Sequence, residues 1–149
     1  MPALCGFGEV GMMEAGKRVI EGRAIAPGSS SGPLLVSSQP ISFYGGVDPE
    51  TGIVVEKGHP LEGKAIGGTV LAFPRGKGST VGSYILYRLK KNGHAPAAII
   101  NESAEAIVAV GAIISEIPML DLIDFSLLPG QGSKVKIDVG KAARISGEW

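Results

Sequence analysis

Apolar and polar positions alternate with period two near both ends of this chain and switch to a helical period in its middle. From Arg18 to Ala26 the pattern predicts a strand, with Ile20, Gly22, Ala24 and Ala26 on one face. The breaker-rich run from Pro27 to Pro33 predicts a turn, after which Leu34 to Val36 resumes a strand. Ile41 to Tyr44 leads into a turn-rich loop over residues 45–52, Ile53 to Val55 is a short β-branched run, and residues 58–63 form a second loop. Ile66 to Phe73 is apolar on both faces, as in a central strand covered on two sides. Thr80 to Lys91 then sets Val81, Ile85 and Leu89 at i, i+4 and i+8, the stripe of an amphipathic helix. Arg88, Lys90 and Lys91 suit the negative end of that helix, and Asn92-Gly93 suits a left-handed cap. Ala97 to Asn101 predicts a strand, Ala104 to Gly111 a short helix opened by Ser103 and Glu105, and Ile113 to Ile117 a third strand. Residues 120–128 follow neither period cleanly. Val135, Ile137 and Val139 alternate with Lys134, Lys136 and Asp138, and with a turn at Gly140-Lys141 they predict a closing hairpin.

The resulting order is β with long loops, then β-α-β-α-β, then β. It describes one α/β domain over residues 17–149, a mixed sheet or partly closed barrel with helices on one side, preceded by a mobile arm over residues 1–16. Composition narrows the function. The 14 basic and 14 acidic residues cancel, so the chain lacks the basic surplus of a nucleic-acid binder. Aromatic residues are 5%, too few for a base-stacking platform. Cys5 stands alone and cannot form an internal disulfide; with His59 and His94 it falls short of a zinc site, and no metal site is expected on this chain. The leading residues lack a signal-peptide pattern, and no apolar run approaches the ~20 residues of a membrane span. The expectation is a cytoplasmic protein with no nucleic-acid or membrane partner. Glycine is abundant, 23 residues at about twice its usual ~7%, which suggests tight turns and close backbone approach.

The chemistry concentrates in Phe73-Pro74-Arg75-Gly76-Lys77-Gly78-Ser79-Thr80-Val81-Gly82, which joins the buried strand to the amphipathic helix. Free amides and the positive helix end make such a junction an anion site, and Arg75 and Lys77 add charge there. A serine in that field needs less energy to carry an alkoxide. Ser or Thr at a helix start is more often a cap, and on the residues alone that reading of Ser79 stands ahead of the chemical one. A Walker loop is excluded because Gly78 follows Lys77 where Ser or Thr is required. Gly76, Gly78 and Gly82, with Glu102 after the next strand, leave open a non-catalytic nucleotide-binding module. Asp48, in a glycine-rich turn, and His59, before a proline, are secondary site candidates.

Four segments together resemble the small subunit of the aconitase-X-type dehydratases, with the similarity strongest toward archaeal members and extending over residues 18–146. They are Gly45-Gly46-Val47-Asp48-Pro49-Glu50-Thr51-Gly52, His59-Pro60-Leu61-Glu62-Gly63, Arg75-Gly76-Lys77-Gly78-Ser79 and Ala95-Pro96-Ala97-Ala98-Ile99-Ile100. The resemblance implies a swivelling β/β/α domain. It also implies a larger partner subunit that holds an iron–sulfur cluster, of the [4Fe-4S] type, through its own cysteines. In that superfamily a serine at a helix start removes a proton, a role the resemblance carries to Ser79. Where aconitase itself has Ser-Arg after this serine, Thr80-Val81 stand here. The implied reaction is dehydration of (R)-5-phosphomevalonate to trans-anhydromevalonate 5-phosphate in a modified mevalonate pathway. Cluster iron would act there as a Lewis acid on the carboxylate and the departing hydroxyl. In this reading the backbone of Lys77 to Thr80 orients the base, Arg75 or Lys77 holds the phosphate, and Gly76, Gly78, Thr80, Asp48 and His59 complete the substrate contacts. The same family includes dehydratases of cis-3-hydroxy-L-proline, which the residues leave open.

Overall fold

The computed structural model describes residues 10–14 and 17–149. The arm expected over residues 1–16 lies outside the described residues except for a first strand, β1 (Val10–Glu14). Two long strands follow, β2 (Lys17–Ala26) and β3 (Gly28–Val36), then a single irregular helical turn, α1 (Phe43–Gly46). The middle is β4 (Val70–Phe73), α2 (Gly82–Lys91), β5 (Ala98–Asn101), α3 (Ala106–Ile114) and β6 (Met119–Asp121). After a 3-10 turn at Phe125–Leu127, β7 (Lys134–Val139) and β8 (Ala143–Gly147) form the expected hairpin.

Three layers result. β4, β5 and β6 pair in parallel beside the end of β3, and α2 and α3 cover one face of that sheet. β7 and β8 pair antiparallel with the first halves of β3 and β2 and cover the other face. β2 pairs with β8 through Arg18–Gly22 and with β6 through Arg23–Ala26. The seven strands in the order β2, β6, β5, β4, β3, β7, β8 therefore close into a ring, while β1 adds to β2 outside it. The expected mixed sheet, partly closed barrel and one-sided helices are all present.

The continuous apolar runs of the parallel strands follow from this layering. Val70 and Ala72, Ala98 and Ile100, and Leu120 point between the sheets, toward Ile137 and Ile145. Their neighbours Leu71, Phe73, Ile99 and Met119 point the other way, toward Ile85, Leu86 and Leu89 of α2 and Val108 and Ala112 of α3. A strand sandwiched in this way has no solvent face, so period two disappears from it.

Four expectations are corrected. The Pro27–Pro33 turn is strand instead: residues 28–33 pair with β7 from Gly28↔Val139 to Pro33↔Lys134, and long-range pairing overrides the local breakers. Gly32 is required there, because a Cβ at that position would lie 2.6 Å from the Gly68 carbonyl oxygen. The expected strand over Ile66–Phe73 shortens to β4, with Gly68 at φ +72 turning the chain before it. Ile113 and Ile114 belong to α3, and the third parallel strand is β6. The Glu105 carboxylate accepts hydrogen bonds from the Ile107 and Val108 amides at 3.0 and 2.9 Å and starts the helix despite its β-branched residues. Finally, Ile20 and Ala26 do not share a face. The register of β2 slips between Ala24 and Ala26, sending Ile20 into the inter-sheet core and Ala26 into the core beneath the helices.

Candidate functional site

The loop from Pro74 to Val81 leaves the C-terminal end of β4, where ligands bind in open parallel sheets. Its root is held from the neighbouring strand. The Asn101 side-chain amide donates to the Phe73 carbonyl at 2.8 Å, and the Glu102 and Ser103 amides donate to the Pro74 carbonyl at 3.1 and 3.2 Å. Its middle is held from a segment far upstream. Gly76 forms a parallel bridge with Ile41: the Ile41 amide donates to the Arg75 carbonyl at 3.3 Å, and the Lys77 amide donates to the Ile41 carbonyl at 3.0 Å.

The glycines have local reasons. A Cβ on Gly76 would lie 2.4 Å from Val108 Cγ2 and 2.7 Å from Glu105 Oε1, so only glycine lets the loop lie on the start of α3. Gly78 has φ +98, and a Cβ there would lie 2.6 Å from Ser42 Oγ. Gly82 faces Ile107 where α2 meets α3. Packing and turning thus account for the pattern that left a nucleotide module open.

Ser79 follows, exposed, at the entrance to α2. Its Oγ accepts a hydrogen bond from the Val81 amide at 3.1 Å, and its carbonyl accepts from the Gly82 amide at 3.0 Å. Ser79 caps the turn that leads into α2, whose own N-cap position is Val81, and the same contact serves the chemical reading, since an amide aimed at Oγ stabilises an alkoxide more than a hydroxyl. Among the described residues the amides of Gly78, Ser79 and Thr80 have no acceptor. The Lys77 amide does not join them, because Ile41 takes it.

Arg75 is exposed, and among the described residues its guanidinium has no partner. Lys77 pairs with Glu56, Nζ to Oε2 at 3.1 Å, with both side chains partly in solvent. Thr80 is exposed beside Ser79. These residues follow one another on a single exposed loop between β4 and α2.

Asp48 is not part of it. Its Oδ1 accepts from the Glu50 amide at 2.9 Å and its carbonyl from the Gly52 amide at 2.7 Å, a self-contained turn. That turn lies against the far end of α2: Asn92 donates to the Pro49 carbonyl at 2.7 Å and Arg88 to Glu50 at 2.8 Å. At 1.5 Å per helical residue it is roughly 15 Å along the axis from Ser79. His59 is buried with both ring nitrogens engaged, Nδ1 accepting from the Leu61 amide and Nε2 facing the Pro40 carbonyl, each at 3.0 Å. Neither nitrogen remains for a ligand in this arrangement.

Sequence reading missed Ile41, Ser42 and Asn101, and it had Glu105 only as a helix opener, without its contact to the Gly76 position. No local motif marks the first two, whose partners lie more than thirty residues downstream. Among the described residues no three His, Cys, Asp or Glu side chains converge on a common point. The described residues therefore offer no cradle for an iron–sulfur cluster. A cavity of about 790 Å³ among Ser31, Lys134, Lys136 and Ser146 touches none of the candidate residues. Two groups elsewhere titrate abnormally. Arg23 is raised by its hydrogen bond and then its charge contact with the buried Asp121, and Asp124 is lowered by the Ser126 hydroxyl and amide that it accepts.

Fold and loop together define a swivel-type β/β/α domain that presents a serine at a helix start on an open face. The chain belongs to the aconitase X swivel domain family, whose profile matches residues 19–146. It is 63% identical over 107 residues to the phosphomevalonate dehydratase small subunit of Methanosarcina acetivorans, covering 72% of this chain and 74% of that one. It is 59% identical to the Thermococcus onnurineus protein of the same name over 122 residues, 81% of this chain and 94% of that one. The holo-form crystal structure of Thermococcus kodakaraensis aconitase X superposes with a TM-score of 0.82 at 53% identity, covering 85% of this chain and 95% of that chain. Among the described residues no helix is long and apolar enough to cross a membrane.

Proposed function

We propose that this chain is the small subunit of a two-subunit hydro-lyase that dehydrates (R)-5-phosphomevalonate to trans-anhydromevalonate 5-phosphate. Ser79 is the base in this reading. It takes the proton from the carbon alpha to the carboxylate as the hydroxyl on the next carbon departs and the double bond forms. The observation that carries the reading is the setting of Ser79: an exposed hydroxyl with an amide aimed at its oxygen, at the positive end of α2, on the same loop as Arg75, whose guanidinium has no partner among the described residues. The names of the relatives support the substrate.

The division of labour follows from the surroundings. Ser79 lies in solvent, where an alkoxide is poorly protected, so a partner must cover it before it acts. A large subunit provides that cover and holds the iron–sulfur cluster. The amides of Gly78 and Thr80 hold negative charge near the base, and Arg75, with Lys77 beside it, binds the phosphate. Gly76 gives the loop its approach, while Asp48 and His59 act on the loops rather than on the substrate. The working compartment is the cytoplasm.

The test is anaerobic turnover of (R)-5-phosphomevalonate by the chain mixed with its cluster-loaded large subunit, with each subunit alone as a control. Activity is expected only in the mixture. Ser79→Ala should lower kcat by on the order of 10²–10⁴-fold, against a loss of only about 0.5–2 kcal/mol of stability from the cap. Unchanged turnover with Ser79→Ala would remove the serine from the mechanism. An assembled but inert wild-type mixture would reject the substrate and make cis-3-hydroxy-L-proline the next one to try.

A further inference from the structure

His59 is 7% exposed, and its two ring nitrogens tie together segments that are distant in sequence. Because Nδ1 accepts the Leu61 amide, the proton must sit on Nε2, which donates to the Pro40 carbonyl. Pro40 is followed by Ile41, whose amide and carbonyl are bonded to Arg75 and Lys77. Ser42 comes next, with its hydroxyl donating to the Tyr44 carbonyl at 2.9 Å and packed where a Cβ of Gly78 would be. The imidazole thus adds a long-range bond to the backbone on which the loop before Ser79 rests, one residue after Gln39, which the buried Ser37 ties to β4.

We propose that His59 is a positioning residue for Ser79: by fixing Pro40–Ser42 it sets the course of residues 75–78 and hence the direction of the Ser79 hydroxyl. The proposal rests on Ser79 being the base. It assigns His59 no contact with the substrate. Without the imidazole, Pro40 and Ile41 lose the nearer of two upstream anchors and keep only the Ser37–Gln39 bonds, while the Pro74 root, held by Glu102 and Ser103, stays in place. The loop would then move at its middle, nearest the serine.

Two substitutions separate the bonds of the ring. His59→Asn keeps an acceptor for the Leu61 amide but is too short to reach Pro40, whereas His59→Gln reaches Pro40 with an amide N–H. Amide hydrogen exchange on the full chain needs no activity. In His59→Asn, exchange at Ile41 and Lys77 should quicken on the order of tenfold, with β7 unchanged, and His59→Gln should restore protection. Unchanged protection at both amides in His59→Asn would overturn the proposal. In the assembled enzyme, His59→Asn should lower kcat on the order of ten- to a hundredfold, with a smaller rise in KM because Arg75 and Lys77 move with the loop, and Gln should recover most of it. A raised KM at constant kcat would make His59 a substrate contact. A lowered Tm with unchanged kcat would make it structural only, and either result overturns the proposal. If the wild-type mixture is inert, the substrate reading fails while the exchange arm still decides the role of His59.

Discussion

At Gly76 a single methyl group is too much. Its Cβ would enter the space of Val108 and Glu105, and neither can withdraw easily, because one is core and the other caps α3. Gly76→Ala is expected to cost about 1–3 kcal/mol of overpacking, read as a lower Tm, and to reduce kcat by displacing Ser79. The two cations of the loop differ in their freedom. Arg75 has no partner to surrender among the described residues, whereas Lys77 must leave Glu56 before it can serve a phosphate. Arg75→Gln should therefore raise KM about tenfold or more, the worth of a charge-assisted hydrogen bond, with kcat little changed. Lys77→Gln should raise it less. Steady-state kinetics of the two variants side by side would check the order. That both charges meet at a strand–helix junction is legible from the sequence. That Lys77 is paired while Arg75 has no partner among the described residues is not, because Glu56 lies 21 positions away.

At the scale of elements, α2 was the most legible, since its apolar stripe and its basic, Asn-Gly end are local properties of consecutive residues. α3 was read with its end misassigned. Its Ala-Ile-Val-Ala-Val-Gly-Ala-Ile-Ile run has β-branched residues suited to a strand, and the Glu105 cap and packing on α2 decide for the helix. Gly111 is the close point of that packing, where a Cβ would lie 2.7 Å from Leu86 Cδ1 and 3.0 Å from Ser83 Cα. Gly111→Val should push the helices apart at a cost of at least about 1–3 kcal/mol, read by denaturant unfolding. Because Ser83 is the second residue of α2, four residues after Ser79, the same variant should also lower kcat. Removing the α3 cap by Glu105→Ala should cost about 0.5–2 kcal/mol, at the same time opening space above Gly76.

At the scale of the whole molecule, the two cores have separate tasks. The inter-sheet core of Leu120, Ile137, Ile145 and their neighbours closes the ring, while the second core seats α2 and α3 and with them Ser79. Ile137→Ala should cost about 2–5 kcal/mol yet leave kcat of the folded enzyme near wild type, because it touches neither helix. Thermal unfolding and active-fraction-corrected kinetics together check this. The sequence alone determined the class of fold, the apolar stripe and basic end of α2, the final hairpin and the Arg75–Ser79 loop, all of which rest on periodicity and turn chemistry among neighbours in the chain. Only the tertiary structure decided that breakers at Gly28, Gly32 and Pro33 lie in a strand, that β2 changes core between Ile20 and Ala26, that Asp48 turns away from Ser79, and that His59 faces the backbone instead of the surface. Each of these depends on a hydrogen bond or a packing contact between residues far apart in sequence. A pattern of neighbours carries no record of such contacts, and the free energy of closing the ring outweighs the local preferences that oppose it.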